Sequence, residues 1–232
     1  MSDETVTVLL PSRGRPTQLR ACITGLLASV GHQGVQVVVI LDASDPASLE
    51  AVQDLPVLVV NTGRDFTTAV EKYNLGYPFA RGEWIVGGAD DLIWRAGWLE
   101  AALATDNDGF IGFDDGYVRK TGFATHGMVR REVVTRCLAG YFALPWYKSW
   151  YGDFESRARL ARGGVRYVIA MDALVEHRHP IWGTASDDET YRLGAQFRGE
   201  DYAEFNRRSA RGFPDDLILS GWDFPPAKGN GQ

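Results

Sequence analysis

Cysteine is nearly absent from this chain: its 232 residues hold two, Cys22 and Cys137, far apart and in no metal or redox spacing. That excludes a disulfide framework and a thiol redox pair, and it fits buried thiols in a reducing, cytosolic setting. Long apolar runs are missing as well. None approaches the ~18 residues of a membrane span, and the acidic start Met1-Ser2-Asp3-Glu4 shows no secretory signal. A cytoplasmic protein without a membrane span is the expectation. There is no internal repeat, no P-loop, no zinc spacing and no Ser-His-Asp arrangement. What is present suffices for a core: 45% hydrophobic and 12% aromatic residues, with no long segment of disordered composition.

An overall basic excess is also lacking. The net charge of −6 argues against indiscriminate polyanion binding. The charge is uneven, however. Between Gly116 and His179 eleven basic residues face five acidic ones. A solvated helix face accounts for such a run, and so does contact with an anionic acceptor or donor phosphates.

Strand-like and helical patterns alternate in the first half. Val6–Leu10, Val35–Leu41 and Val57–Val60 read as strands, Leu19 to Leu27 carry helical spacing, and a helix is expected over Phe66–Tyr77. Glu83–Gly88 reads as a buried strand. This alternation implies right-handed crossovers and a mainly parallel sheet. The loops after the strands would then gather Ser12, Asp42, Arg64 and Asp91 on one edge. The second half is less regular: a strand at Phe110–Phe113, helices over Met128–Leu138 and Asp153–Arg162, a strand at Tyr167–Ala170, a polar helical tail from Asp187 to Arg208, and a loosely held Gly221–Gln232. Composition changes near Asp114 without a linker, so one core is expected.

Asp90 and Asp91 end the Glu83–Gly88 strand, where open α/β sheets bind ligands. Adjacent acids repel unless a cation or a donor array compensates, and Mg²⁺-like ions take oxygen ligands shared with phosphates. An isolated Asp-Asp equally fits an exposed turn and helix cap. Arg13, Arg15 and Arg64 are candidate phosphate contacts, because a forked guanidinium suits phosphate, or else ordinary surface charges. Asp42 is placed to accept from a uracil-like base or to end a strand in a turn. Trp146, Tyr147, Trp150 and Tyr151 fit a stacking wall or core packing.

Taken together, Pro11-Ser12-Arg13-Gly14-Arg15-Pro16, Asp42-Ala43-Ser44, Asn74-Leu75-Gly76, Gly82-Glu83, Asp90-Asp91 and Gly97-Trp98-Leu99 occur in the order of a GT-A glycosyltransferase of family-2 type. The resemblance covers about Val6 to Pro180 and extends to short phage-encoded glycosyltransferases. It implies an α/β, GT-A (Rossmann-like) fold, a mainly parallel sheet flanked by helices. Residues 1–115 would form a nucleotide-sugar-binding half, and 116–232 a smaller mixed acceptor half with a helical tail. It also implies Mn²⁺ or Mg²⁺, and a nucleotide-sugar donor expected to be a UDP-sugar. Pro11, Ser12, Arg13, Arg15, Asp42, Arg64, Asn74 and Asp90 would face the donor, while Asp91 and His177 would hold the metal. Asp153, in the counterpart of a Glu-Asp motif, would be the catalytic base of an inverting transfer, with Glu155 in reserve and a helix cap as the alternative. His177 and His179 alternate on an extended piece, so one of them is expected to face the site. His126 would touch donor or acceptor, or be structural.

Two departures stand out: Gly88 replaces the first acid of an Asp-x-Asp-Asp pattern, and Gly152 replaces the Glu of the Glu-Asp motif. They keep open a sugar-nucleotide-binding pseudoenzyme, and a sugar-phosphate nucleotidyltransferase is the other rival. Acceptors range over glycans, small molecules and, from the phage resemblance, a hydroxymethylated base in DNA within a host cytoplasm.

Overall fold

The computed structural model of the chain describes residues 5–31, 34–66, 68–105 and 109–215. Their elements run β1 (Val6–Pro11), α1 (Pro16–Ser29), β2 (Val35–Ile40), α2 (Pro46–Val52), β3 (Leu58–Val60), α3 (Ala69–Gly76), β4 (Trp84–Gly87), β5 (Leu92–Trp94), α4 (Trp98–Leu103), β6 (Phe110–Asp114), α5 (Val118–Thr121), β7 (Gly127–Arg130), α6 (Arg131–Cys137), α7 (Gly152–Arg162), β8 (Tyr167–His177), α8 (Glu189–Ala195) and α9 (Arg198–Ser209). Eight strands form one sheet in the order β3-β2-β1-β4-β7-β6-β8-β5. The first four are parallel. β7 then enters antiparallel between β4 and β6, β8 lies parallel to β6, and β5 closes the edge antiparallel to β8. The expected α/β architecture with a mixed second half is what forms.

The central strands are buried on both faces, as helix-covered parallel strands must be. Their period of two divides the core. Val8, Leu10, Val37 and Val39 pack on the side of α1 and α4. Leu9, Val38, Ile40 and Ile85 pack on the other side, with residues of α3, α6 and α7.

Three expectations fail locally. Met128–Leu138 is not one helix but β7 followed by α6. Gly127 explains the strand, since a Cβ there would lie 2.5 Å from the Ile111 carbonyl oxygen, so glycine alone allows β7 its approach to β6. The strand expected at Tyr167–Ala170 continues to His177, because a register shift at Phe113/Asp114 lets β8 run past β6 and pair with β5. The tail is two helices with a break at Gln196–Phe197 rather than one. The Gly221–Gln232 reading lies outside the described residues.

The tail is anchored by a buried charge cluster. Glu155, fully buried, accepts from Arg159 at 2.7 Å, twice from Arg208 at 2.8 Å and from the Tyr147 hydroxyl at 2.5 Å. Arg208 also covers the Trp146 ring at 3.7 Å. Glu155, the reserve base of the sequence reading, thereby ties α7 to α9, with no face open to solvent. Burial opposes its charge, but Arg208, Tyr147 and Arg159 outweigh burial and lower its pKa. A lowered carboxylate pKa stabilises fully above the unfolded value and is lost as pH falls through the folded one. Glu155→Gln should therefore lose about 3–5 kcal/mol at pH 7, since two buried guanidiniums lose their anion. Urea unfolding at pH 7 and in the acid range would check this, the gap between wild type and variant narrowing as pH falls.

Candidate active site

The site grows from the carboxyl ends of β1, β2 and β4. Gly88 begins it: its N–H donates to Leu9 O at 2.8 Å, and a Cβ there would stand 2.9 Å from Val8 Cγ1 and 3.2 Å from Leu9 O. Packing against β1 leaves no room for an acid at that position. The next turn presents Asp90 and Asp91, both buried, and the two are held very differently. Asp90 accepts from Ser12 Oγ at 2.7 Å and from Arg15 at 2.8 Å. Burial raises its pKa, with Arg15 and Ser12 opposing and the Asp91 charge adding.

Asp91 is placed by strand register. β5 starts just after it, and Leu92 pairs with His177, the last residue of β8. The imidazole Nε2 of His177 thus comes 3.4 Å from Asp91 Oδ2, and the Tyr191 hydroxyl lies 3.0 Å from the same oxygen. Burial resists the charge of Asp91, but His177, then His126 and the Tyr191 hydroxyl, bring its pKa down to about 2. Its Oδ1 is buried without a hydrogen-bond partner, as is His177 Nδ1. An ionised, half-satisfied carboxylate is suited to a hard cation that takes its remaining ligands from phosphate and water. No group of three His, Cys, Asp or Glu side chains among the described residues is arranged to hold a metal. Asp91 and His177 fit such an ion as a two-residue holding.

His126, at the entry to β7, has Nδ1 2.9 Å from Gly87 O and a buried Nε2 without a partner. Burial, and then the His177 charge, lower its pKa to about 4. The ring is neutral near pH 7, and donation to Gly87 leaves the Nε2 lone pair free. His179 faces the same cavity as His177, contrary to the alternation expected, because β8 ends at His177 and the chain turns into the Pro180–Trp182 turn that His179 caps.

These groups line a cavity of about 310 Å³. Pro11, Ser12, Arg13, Arg15, Asp90 and Asp91 stand on it as expected. The two arginines are nevertheless engaged. Arg13 pairs with Asp42 at 2.6 Å. Arg15 is wedged between Asp90 and Asp188, both at 2.8 Å, with its guanidinium 4.0 Å over the Tyr191 ring. Burial works against the Arg15 charge, but Asp188 and Asp90 raise its pKa. Asp42 does not line this cavity. Its oxygens accept from Phe66 N at 2.9 Å, Arg13 at 2.6 Å and Lys72 at 2.8 Å, and Lys72 also reaches Ser12 O at 2.6 Å. Asn74 is tied to the backbone of Ala143 by both amide atoms, at 2.7 and 3.0 Å. Arg64 is exposed after β3 with its guanidinium 5.0 Å over Phe66, off the cavity wall.

The remaining wall comes from Thr68, Ala69, Lys72 and Tyr73 at the start of α3, from Lys148 to Trp150, and from α8, whose sequence reads only as a polar helix. Asp188 caps it by accepting from Tyr191 N at 3.0 Å, and Thr190 Oγ1 lies 3.1 Å from Arg13 O. Nothing in the local pattern announces Tyr191 as a site residue. Lys72 had a signal, since Thr68-Ala69-Val70-Glu71 is a capping box that fixes where α3 starts and which face Lys72 takes.

A second cavity of about 270 Å³ shares Tyr73, Thr125, His126 and Ser149 with the first. Asp153 lines it from the first turn of α7. It is not the cap: Tyr151 precedes the helix in a left-handed conformation (φ 66°) without a side-chain cap bond. Asp153 is exposed to the open cleft; the protein crowded around it raises its pKa, with the Phe154 N–H at 2.9 Å opposing. Of the aromatic quartet only Trp150 lines the first cavity and Tyr147 the second.

Solved structures share this fold. A mannosyltransferase from Pyrobaculum calidifontis, in complex with GDP-Man and Mn²⁺, matches with a TM-score of 0.69 at 18% identity over 89% of this chain. The chain spans 64% of that enzyme's length. Mannosyl-3-phosphoglycerate synthase from Rubrobacter xylanophilus matches with a TM-score of 0.59 at 15% identity, over 94% of this chain and 78% of that one. A Drosophila β-1,4-galactosyltransferase 7 mutant, in complex with manganese, UDP-Gal and xylobiose, matches at 0.50 and 14% identity, over 81% of this chain and 78% of that one. No curated protein sequence matches. The sequence model of glycosyl transferase family 2 matches residues 7–173, most of the chain, and the chain belongs to that family.

Proposed function

We propose that this protein is a metal-dependent glycosyltransferase that moves a sugar from a nucleotide-sugar donor to an acceptor hydroxyl with inversion. The observation that carries this reading is the pair of joined cavities, with the half-satisfied Asp91 in one and Asp153 in the other. A departing diphosphate and an attacking hydroxyl need those two groups on opposite sides of one anomeric carbon. Asp91 and His177 would hold Mn²⁺ or Mg²⁺, which when bound supplies Lewis-acid stabilisation of the leaving diphosphate. Arg15 holds Asp90 in place, and Ser12 shares that carboxylate. Asp153 takes the proton of the acceptor hydroxyl as its oxygen bonds to the anomeric carbon. The bond from that carbon to the diphosphate oxygen breaks, and its electron pair leaves with the nucleotide.

We take Asp42 to order the β2 and β1 loops beneath the donor, since three donors already hold it, so both UDP- and GDP-sugars belong in a donor screen. We do not extend the reading to a DNA acceptor. Several of the arginines that made the Gly116–His179 segment basic are engaged within the fold: Arg130 on Glu83, Arg131 on Ala80 O and Gly82 O, and Arg159 on Glu155.

Asp91→Asn should reduce transfer about a hundredfold or more, a loss of some 2.7 kcal/mol in transition-state stabilisation. Mn²⁺-dependent nucleotide binding should weaken in parallel, and EDTA should abolish wild-type transfer. Near-normal turnover by the variant would place the site elsewhere, and full turnover in EDTA would overturn the metal dependence itself.

Asp153→Asn should lower transfer by about 10²–10⁴-fold, with donor affinity nearly unchanged. Because the folded pKa is raised, the acid limb of the wild-type kcat/KM profile should lie above the ordinary aspartate pKa of about 3.9, and activity should fall as pH drops through it. Asp153 is exposed in the free protein, so water screens the effect of its charge on stability, and the Asn variant should unfold within about 0.5 kcal/mol of wild type at pH 7. A pH–rate profile with unfolding curves at pH 7 tests both; full turnover by the variant would remove Asp153 as the base.

A further inference from the structure

The second cavity has a composition that restricts what can present a hydroxyl to Asp153. Phe110, Tyr167 and Phe123 stack in sequence along it, with centroids 4.6 and 6.0 Å apart and planes inclined by 16° and 23°. Outside the cavity Phe154 continues the row against Phe123 at 4.8 Å and 11°. Val129, Leu138, Leu144 and Leu160 add aliphatic wall. Polar side chains form the other side: Thr125, His126, Ser149, Ser156, Asp153 and Arg157. Asp153 and Arg157 lie one turn apart on α7 and both line the cavity, and neither has an oppositely charged partner among the described residues. Residues four apart on a helix share a face, with Cβ atoms about 5–6 Å apart. The Arg157 guanidinium rests over Tyr167 at 4.7 Å and Phe123 at 5.8 Å.

We propose that the acceptor is a planar, aromatic-bodied alcohol whose hydroxyl meets Asp153 and whose hydrogen-bond-accepting or anionic substituent, about one helical turn away, meets Arg157. This rests on the glycosyltransferase reading above and names its acceptor class. Volume agrees: a dry cavity of about 150 Å³ takes a benzene, so about 270 Å³ holds one substituted ring. A hexose places hydroxyls all round its ring, and those turned to the aromatic and aliphatic side, away from the polar one, go unpaired at about 1–3 kcal/mol each when buried. A flat ring with two polar substituents has both satisfied while its body meets the aromatic and aliphatic wall.

The test titrates the full chain, with Mn²⁺ and UDP or GDP present, against 3-(hydroxymethyl)benzoate, benzyl alcohol, 3-(hydroxymethyl)cyclohexanecarboxylate and methyl hexopyranosides, by calorimetry or saturation-transfer NMR. The benzoate should bind about tenfold more tightly than either single-feature probe, as the loss of a charge-assisted bond or of ring stacking implies. Arg157→Ala should erase its advantage over benzyl alcohol, and Arg157→Lys should retain part of it. Equal binding of the planar and non-planar carboxylates, tighter binding of a methyl hexopyranoside, or no binding of any aryl probe while the nucleotide binds would overturn the assignment. Failure of both nucleotides to bind in a separate titration would instead count against the glycosyltransferase reading itself.

Discussion

Arg15 sits where three parts of the chain meet, and its two ion pairs, one buried with Asp90 and one half-exposed with Asp188, give the adjacent Asp90 and Asp91 different characters. Without a cation beside them, neighbouring buried carboxylates would repel and one would take up a proton. Arg15 bonds to Asp90 alone of the two, together with Ser12, and so leaves Asp91 to His177 and Tyr191. One acid is thereby an internal strut and the other keeps a free oxygen. The second pair, to Asp188, brings the start of α8 against the β1 loop across 173 positions of sequence. A pair of this kind contributes geometry more than stability, because desolvation of the ions offsets most of their attraction. Its value here is that the carboxyl edge of the sheet and the C-terminal helix cannot be arranged independently.

How much of this was legible followed from the range of the interactions. β1, β2 and β4, buried on both faces, could be read because local apolar runs determine them, and with them came the loops that carry Ser12 and the Asp pair. β5 was missed: three residues, Leu92–Trp94, carry no pattern of their own and are a strand only because β8 supplies a partner. The apolar run of β8 is interrupted at Asp172, whereas its pairing continues across the bulge. Composition could not separate exposed charges from engaged ones. Arg15 and Arg64 look alike in sequence, yet one is wedged between two acids and the other lies over Phe66 at the surface. Asn74 was read as a donor contact, but its amide matches a peptide group, and it bonds the Ala143 backbone as one.

The family match ends at residue 173, and that limit has physical content. Inside it lie most of the sheet, both aspartates and the first turn of α7. Beyond it lie the end of β8 with His177, and Thr190 and Tyr191, which complete the first cavity, together with Asp188, which holds Arg15. Tyr191 is the most telling of these. Its phenol has a raised pKa, from burial first and then from the Asp91 charge, so it stays a neutral donor. A neutral hydroxyl satisfies one oxygen of Asp91 without cancelling its charge, as a lysine in its place would. The segment that closes the cavity therefore keeps the carboxylate dry and still anionic. On the proposed function that is the state in which a divalent ion and the donor diphosphate would find it, and the part of the chain outside the family match is what maintains it.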